Sequence, residues 1–189
     1  MRVISGIFKG KRIITPIDKT TRPLKDITKE SIFNIINHSN KFSMKIQDAV
    51  ILDLFSGVGS FGIECISRGA KHVSFVENYS KVVPILKQNL KNLKIDNVYE
   101  ILEKDITNEL NFQKFNNLFD IIFLDPPYKD KFLPKTLEII LKNKILSKNG
   151  IIIIHRNRKE KEALPSDFRI LEKREYGISK IIFGVQKKV

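Results

Sequence analysis

The stretch that most constrains this chain is Val50 to Glu64, VILDLFSGVGSFGIE. Val50, Ile51, Leu52 and Leu54 read as a buried strand that breaks at Gly57 and Gly59, and a helix opens near Ser60. Glycine suits such a turn because a backbone passing close to a ligand has no room for side chains. The free N–H groups at the start of the helix favour polar or anionic ligand groups. Gly57-x-Gly59-x-x-Gly62 also fits a dinucleotide fingerprint, with Glu77 at the distance of a ribose-binding acid. Taken alone, the motif admits an NAD-like cofactor, an S-adenosylmethionine-like cofactor, or a purely structural turn in an α/β domain.

A second motif narrows the choice. Phe119 to Tyr128 reads FDIIFLDPPY, an apolar strand ending in Asp125, Pro126, Pro127 and Tyr128. Proline fixes φ and lacks an N–H, so the pair stops the strand ladder and stiffens the loop. A carboxylate, carbonyls and an aromatic ring then gather where the first motif holds its ligand. That set suits a planar group bearing an exocyclic amine, with the ring stacking and the oxygens accepting the amine hydrogens. A proline-rich turn with a capping aspartate is the plain alternative.

With both motifs in view, the chain resembles the class I S-adenosylmethionine-dependent methyltransferases that modify exocyclic amines of nucleic-acid bases. MRVISGIFKGKRI, TRPLKDITKESIFNII and SRGAKHVSFVE narrow the resemblance to the bacterial small-subunit rRNA guanine-N2 methyltransferases, the RsmD family. The similarity runs from Arg2 to Val185. It implies an α/β Rossmann-like fold with a seven-stranded, mostly parallel sheet ending in an antiparallel strand. A small N-terminal hairpin-and-helix extension precedes it. Residues 1–189 are expected to form one methyltransferase domain, with 1–40 as an RNA-binding, cofactor-covering extension and 48–189 as the catalytic core.

The resemblance also assigns roles. Asp53, Phe55, Gly57, Gly59, Glu77 and Asp105 are expected to hold S-adenosylmethionine. Glu77 takes the ribose hydroxyls and Asp105 the adenine amine, although a capping role suits Asp105 nearly as well. Asp125 and the Pro126 carbonyl accept the target amine, Pro127 stiffens the loop, and Tyr128 stacks the base. Lys9, Lys11, Arg12, Arg22 and Asn34 face RNA. Ile27 and Lys29 stand where the family leads one to expect arginines, and His155 where relatives often carry an acid. His155 reads as a surface or strand-end residue.

Composition supports a polyanionic partner. A formal net charge of +13 points to nucleic acid ahead of a membrane surface, although a Lys-rich, Ile-rich proteome would raise the charge without a dedicated basic face. The cations Lys9, Lys11 and Arg12 lie between Gly6 and Thr15 in what reads as a strand pair, so they share one surface. A merely solvated edge is the competing reading, and Arg22, Lys25 and Lys29 form the alternative RNA surface. The lone Cys65 excludes an internal disulfide framework, and no apolar run approaches the roughly 18 residues of a membrane span. A cytoplasmic monomer acting on rRNA, free or within an assembling particle, is the expectation. No metal is expected, since His38, His72 and Cys65 lack ligand spacing.

Between the motifs the periodicity predicts helices at Asp26 onward, Ser60–Ser67, Val82–Leu93 and Leu133–Lys142. Strands are predicted at His72–Val76, Val98–Leu102 and Ile151–Ile154, the last entered by an Asn149-Gly150 turn. A closing hairpin turns at Tyr176-Gly177. Competing functions are a DNA adenine-N6 methyltransferase, an NAD-dependent dehydrogenase, and a nucleic-acid-binding module with a vestigial pocket. The chain has little room for a DNA-recognition domain and no evident hydride-transfer His or Lys near the strand ends.

Overall fold

The computed structural model describes residues 1–16, 24–106, 115, 118–127, 132–161 and 163–187. Within them, α1 (Asp26–His38) precedes β1 (Val50–Leu54), α2 (Ser60–Ser67), β2 (His72–Val76), α3 (Val83–Asn92) and β3 (Tyr99–Leu102). Then come β4 (Phe119–Leu124), α4 (Leu133–Asn143), β5 (Leu146–Asn157), β6 (Phe168–Tyr176) and β7 (Ser179–Gln186). The strands form one seven-stranded sheet in the order β3-β2-β1-β4-β5-β7-β6. Neighbours from β3 to β5 are parallel, and β7 runs antiparallel to both β5 and β6. The antiparallel strand is last in the chain yet lies inside the sheet, because the hairpin folds β7 back between β5 and β6.

Side-chain alternation divides the sheet into two apolar faces. Ile51, Val73, Phe75, Ile121, Phe123, Ile151, Ile153, Ile181 and Phe183 pack with the buried residues of α1, α2 and α3. Leu52, Leu54, Val76, Ile122, Leu124, Ile152, Ile154 and Ile182 pack with Leu133, Leu137, Ile140 and Leu141 of α4. Continuous apolar runs such as Ile151–Ile154 are what a strand covered on both faces requires. Phe61 of α2 stacks between Phe33 of α1, at 5.3 Å, and Phe123 of β4, at 4.0 Å, tying the first helix to the sheet.

Several expectations are revised. β5 begins at Leu146 and runs through Asn149-Gly150 without turning there. A Cβ on Gly150 would sit 2.8 Å from the Phe119 carbonyl oxygen, so glycine is required by close passage beside β4 rather than by a turn. The N-terminal strand pair is reduced to one antiparallel bridge, Arg2 to Arg12. It also supplies core that its sequence concealed, since Val3 and Ile13 are each 1% exposed. α1 starts at Asp26 as expected, and Lys25 holds the cap position with no side-chain capping bond. Lys29 is fully buried and drops out of any RNA surface.

The sheet order reverses at β1, which sends the chain to β2 on one side and pairs with β4 on the other. Ligands in open α/β sheets bind at such a switch point, beyond the carboxyl ends of the strands. Leu54 pairs with Leu124, so the glycine turn after β1 and the Asp125 loop after β4 emerge side by side.

Candidate functional site

The glycine turn is built by residues in left-handed conformations. Phe55 has φ +59°, unusual for a residue with a large side chain, followed by Gly57 at +55° and Gly59 at +83°. The turn is pinned where Ser56 N donates to the Val76 carbonyl (3.1 Å) and Gly59 N to the Ser56 carbonyl (2.8 Å). The glycines have separate tasks. A Cβ on Gly59 would lie 2.5 Å from Leu86 and one on Gly62 2.3 Å from the Phe75 ring, so both permit close packing. A Cβ on Gly57 would meet nothing within 4 Å, which leaves this backbone facing open space at the strand ends.

Carboxylates lie at and beneath that turn. Asp53 is 1% exposed; its Oδ2 accepts from Gly62 N (3.0 Å), and its Oδ1 meets no hydrogen-bond partner among the described residues. Burial pushes the Asp53 carboxyl well above its ordinary value, and the charges of Asp125 and Glu77 push it further, against the Gly62 bond. Glu77, at the end of β2, accepts from Gly57 N (2.8 Å), Asn78 N (2.9 Å) and Tyr79 N (2.9 Å). A carboxylate offers roughly four acceptor directions, so one remains for an external hydroxyl. Asp105 joins the rim through Asn78, whose Nδ2 donates to Asp105 Oδ2 at 3.4 Å.

Across the switch point, Asp125 N donates to the Leu54 carbonyl (3.4 Å), and Asp125 Oδ1 lies 2.8 Å from His155 Nδ1. His155 Nε2 lies 3.0 Å from Ser179 Oγ. His155 is only 6% exposed, which corrects its reading as a surface residue: the register Leu124–Ile154 sets the next residues of β4 and β5 abreast. Arg156 Nη1 donates to the Pro127 carbonyl (3.0 Å), fastening the proline loop to β5. Pro126 is buried and Pro127 exposed, while Tyr128 falls outside the described residues, as does Arg22.

Sequence reasoning missed the seat of the N-terminal arm. Glu64 of α2 accepts from Ile4 N (2.7 Å) and Ser5 N (2.9 Å), and pairs with Arg68 Nε (2.8 Å) and Lys29 Nζ (3.4 Å). Lys29 Nζ also donates to the Arg2 carbonyl (2.8 Å). Burial pulls the Lys29 ammonium below its ordinary value, and Glu64, then Asp26, pull it back. Asn89 of α3 brackets Ile14, accepting from its N (2.8 Å) and donating to its carbonyl (3.0 Å), and also donates to the Val58 carbonyl (3.1 Å). A charge inside the apolar helix SFGIECIS and an amide among the apolar residues of α3 were the available signals. Beyond this seat Lys9, Lys11 and Arg12 are exposed on the arm, and Asn34 is exposed on α1.

The family model described as conserved hypothetical protein 95 matches residues 1–185. The ribosomal RNA small subunit methyltransferase D of Buchnera aphidicola subsp. Baizongia pistaciae is 36% identical over 174 residues, spanning 92% of this chain and 85% of that protein. YlbH of Bacillus subtilis is 35% identical over 181 residues, 95% of each chain. Among solved structures, yhhF from Escherichia coli superposes with a TM-score of 0.81 at 23% identity, covering 99% of this chain and 98% of that one, a likeness of fold.

Proposed function

We infer the reaction from one premise: this chain belongs to the conserved hypothetical protein 95 family, the RsmD-type methyltransferases, and its cofactor is S-adenosylmethionine. The residues fit that cofactor. Gly57 leaves the backbone open at the rim, and Glu77 retains one acceptor direction there for a ribose hydroxyl. Asp105, linked to the same rim through Asn78, is the proposed acceptor of the adenine amine. Asp53 works from behind, holding Gly62 N so that α2 starts where the turn needs it. When bound, the cofactor supplies an electrophilic methyl on a sulfonium.

The substrate proposed is the N2 amine of a guanine in small-subunit rRNA, and the observation that carries it is the Asp125-Pro126-Pro127 loop beside the glycine turn. Guanine N2 is a weak nucleophile because its lone pair is delocalised into the ring. A carboxylate and a carbonyl that hold both amine hydrogens aim that lone pair and offset the positive charge growing on nitrogen. Asp125 and the Pro126 carbonyl take these roles, with Tyr128 as the stacking partner. A paired base cannot reach the site, so the target is unpaired or flipped out of its helix. The exposed Lys9, Lys11 and Arg12 carry the phosphate contacts, with Arg22 and Asn34 proposed beside them. A rRNA partner follows the name of the Buchnera relative and accords with the chain's charge of +13.

Incubating the purified protein with tritiated S-adenosylmethionine and either total RNA or DNA, then digesting to nucleosides, tests the proposal. N2-methylguanosine from small-subunit rRNA is expected. Label confined to DNA as N6-methyl-2′-deoxyadenosine would replace it with the other amine chemistry.

A further inference from the structure

His155, Asp125 and Ser179 form a connected line that the proposed reaction does not yet use. Their side chains lie on one face of the sheet, with Asp125 just past β4, His155 inside β5 and Ser179 at the start of β7. Asp125 Oδ1 and His155 Nδ1 are 2.8 Å apart, and His155 Nε2 and Ser179 Oγ 3.0 Å apart. Ser–His–Asp is also the order of a nucleophilic triad. Here Ser179 is 5% exposed, so its hydroxyl ends the line rather than meeting a substrate.

An ionised carboxylate only accepts hydrogen bonds, so His155 must carry a proton on Nδ1 to bond Asp125. In the neutral ring, Nε2 then accepts the Ser179 hydroxyl proton, which selects that tautomer. The backbone supplies the rest of the support. His155 lies near the end of β5 but is still paired with Ile181 of β7, so it cannot shift without disturbing that ladder. Asp125, by contrast, lies on a loop, and its side chain is 20% exposed. With Oδ1 held, the carboxylate cannot rotate freely, and Oδ2 keeps one orientation.

We propose that His155 is a positioning residue for methyl transfer: its Nδ1–H, held in place by Ser179, locks Asp125 so that Oδ2 faces the target amine. The inference rests on the reading that Asp125 receives that amine. It explains how a histidine serves at a position where an acid was expected, because an acid would repel Asp125 whereas Nδ1–H anchors it.

The test compares two amides. His155→Asn places an amide nitrogen where Nδ1 stands, within reach of Asp125; His155→Gln places it near Nε2, facing Ser179. Both variants keep a buried polar group, and thermal melting establishes that they fold. Single-turnover methyl transfer onto rRNA is measured with saturating S-adenosylmethionine, alongside cofactor affinity by calorimetry. His155→Asn is expected to stay within about threefold of wild type and His155→Gln to fall about 10- to 100-fold, the range typical of removing an orienting partner. Cofactor affinity should be unchanged in both. Equal rates for the two amides, or a loss of cofactor affinity that accounts for the slower rate, would overturn the proposal. Asp125→Ala is measured in parallel. If it retains full activity, the reading of Asp125 itself fails; if it is inactive while both amides match wild type, only the role of His155 fails.

Discussion

The seat of the N-terminal arm and the rim at the strand ends are both organised by acids that accept backbone N–H bonds, yet they balance charge differently. Glu64 is fully buried and met by two cations, Lys29 and Arg68, in addition to Ile4 N and Ser5 N. At the rim, Asp53, Glu77 and Asp125 crowd together, and among the described residues no Lys or Arg ion pair reaches any of them. A neutralised buried charge serves the fold. Burial and its neighbours' charges penalise an ionised Asp53 there, while Glu77 and Asp125 keep acceptor directions for ligand hydrogens, the pattern of a working site. The arm is therefore fastened to α2, the same helix whose first turn carries the glycine motif.

The sharpest way to break this contrast is to remove Glu64. Glu64→Ala leaves Lys29 as a buried cation without its acid and should cost about 3–5 kcal/mol in urea denaturation. A loss below about 1 kcal/mol, the level of an exposed pair, would mean the seat is dispensable. At the rim the effect should fall on ligand instead. Glu77→Ala should weaken S-adenosylmethionine binding by roughly 1.5–3 kcal/mol in calorimetry, the scale of hydrogen bonds to a charged group. Unchanged affinity in a folded variant would remove Glu77 from the cofactor site.

Asp53 should respond in the opposite sense. Its folded value is raised, so as pH climbs past the ordinary 3.8 the unfolded chain releases a proton that the folded chain retains. Folding stability falls over that window and levels off once pH passes the raised folded value. Asp53→Asn keeps an acceptor for Gly62 N and removes the penalty. Its stability relative to wild type should therefore increase as pH rises above about 4 in denaturant titrations; a constant difference would mean that folding leaves Asp53 unperturbed. The smallest effect on stability belongs to the arm's tip. Replacing Lys9, Lys11 and Arg12 by Ala should alter stability by no more than about 0.5 kcal/mol. The slope of log RNA affinity against log salt should flatten by about 0.7 for each phosphate the variant no longer neutralises. Parallel slopes would move the RNA surface elsewhere.

Much of the rim was legible because its signals are local. A glycine turn after an apolar strand and a proline pair after another fix where two loops begin, and parallel pairing of β1 with β4 brings them together. The support beneath the rim was not legible. The partner of Asp125 is 30 residues away in His155, and those of Glu64 are 60 and 59 residues away in Ile4 and Ser5. No periodicity encodes such pairings; they exist only once the sheet is assembled. Lys29 shows the same limit from the other side. Its type suggests solvent and its helix position suggests the core, and burial is tolerated only through Glu64 and the Arg2 carbonyl. His155 was misread because a histidine beside an arginine near a strand end resembles surface, while its ring in fact lies buried between Asp125 and Ser179.

The central claim is that Glu77 and Asp125 act on ligands and that Asp125 acts on the methyl acceptor in particular. The most direct measurement is single-turnover methyl transfer to rRNA by Asp125→Ala, with cofactor affinity and thermal stability determined on the same preparation. The account predicts a loss of about 10²-fold or more in transfer, the scale of removing one aligned group that stabilises developing charge. Cofactor affinity should stay within about twofold of wild type, less than about 0.5 kcal/mol. The fold should stay intact, since Asp125 touches neither the glycine turn's packing nor the arm's seat. Transfer at the wild-type rate, or transfer and cofactor affinity lost together, would contradict it.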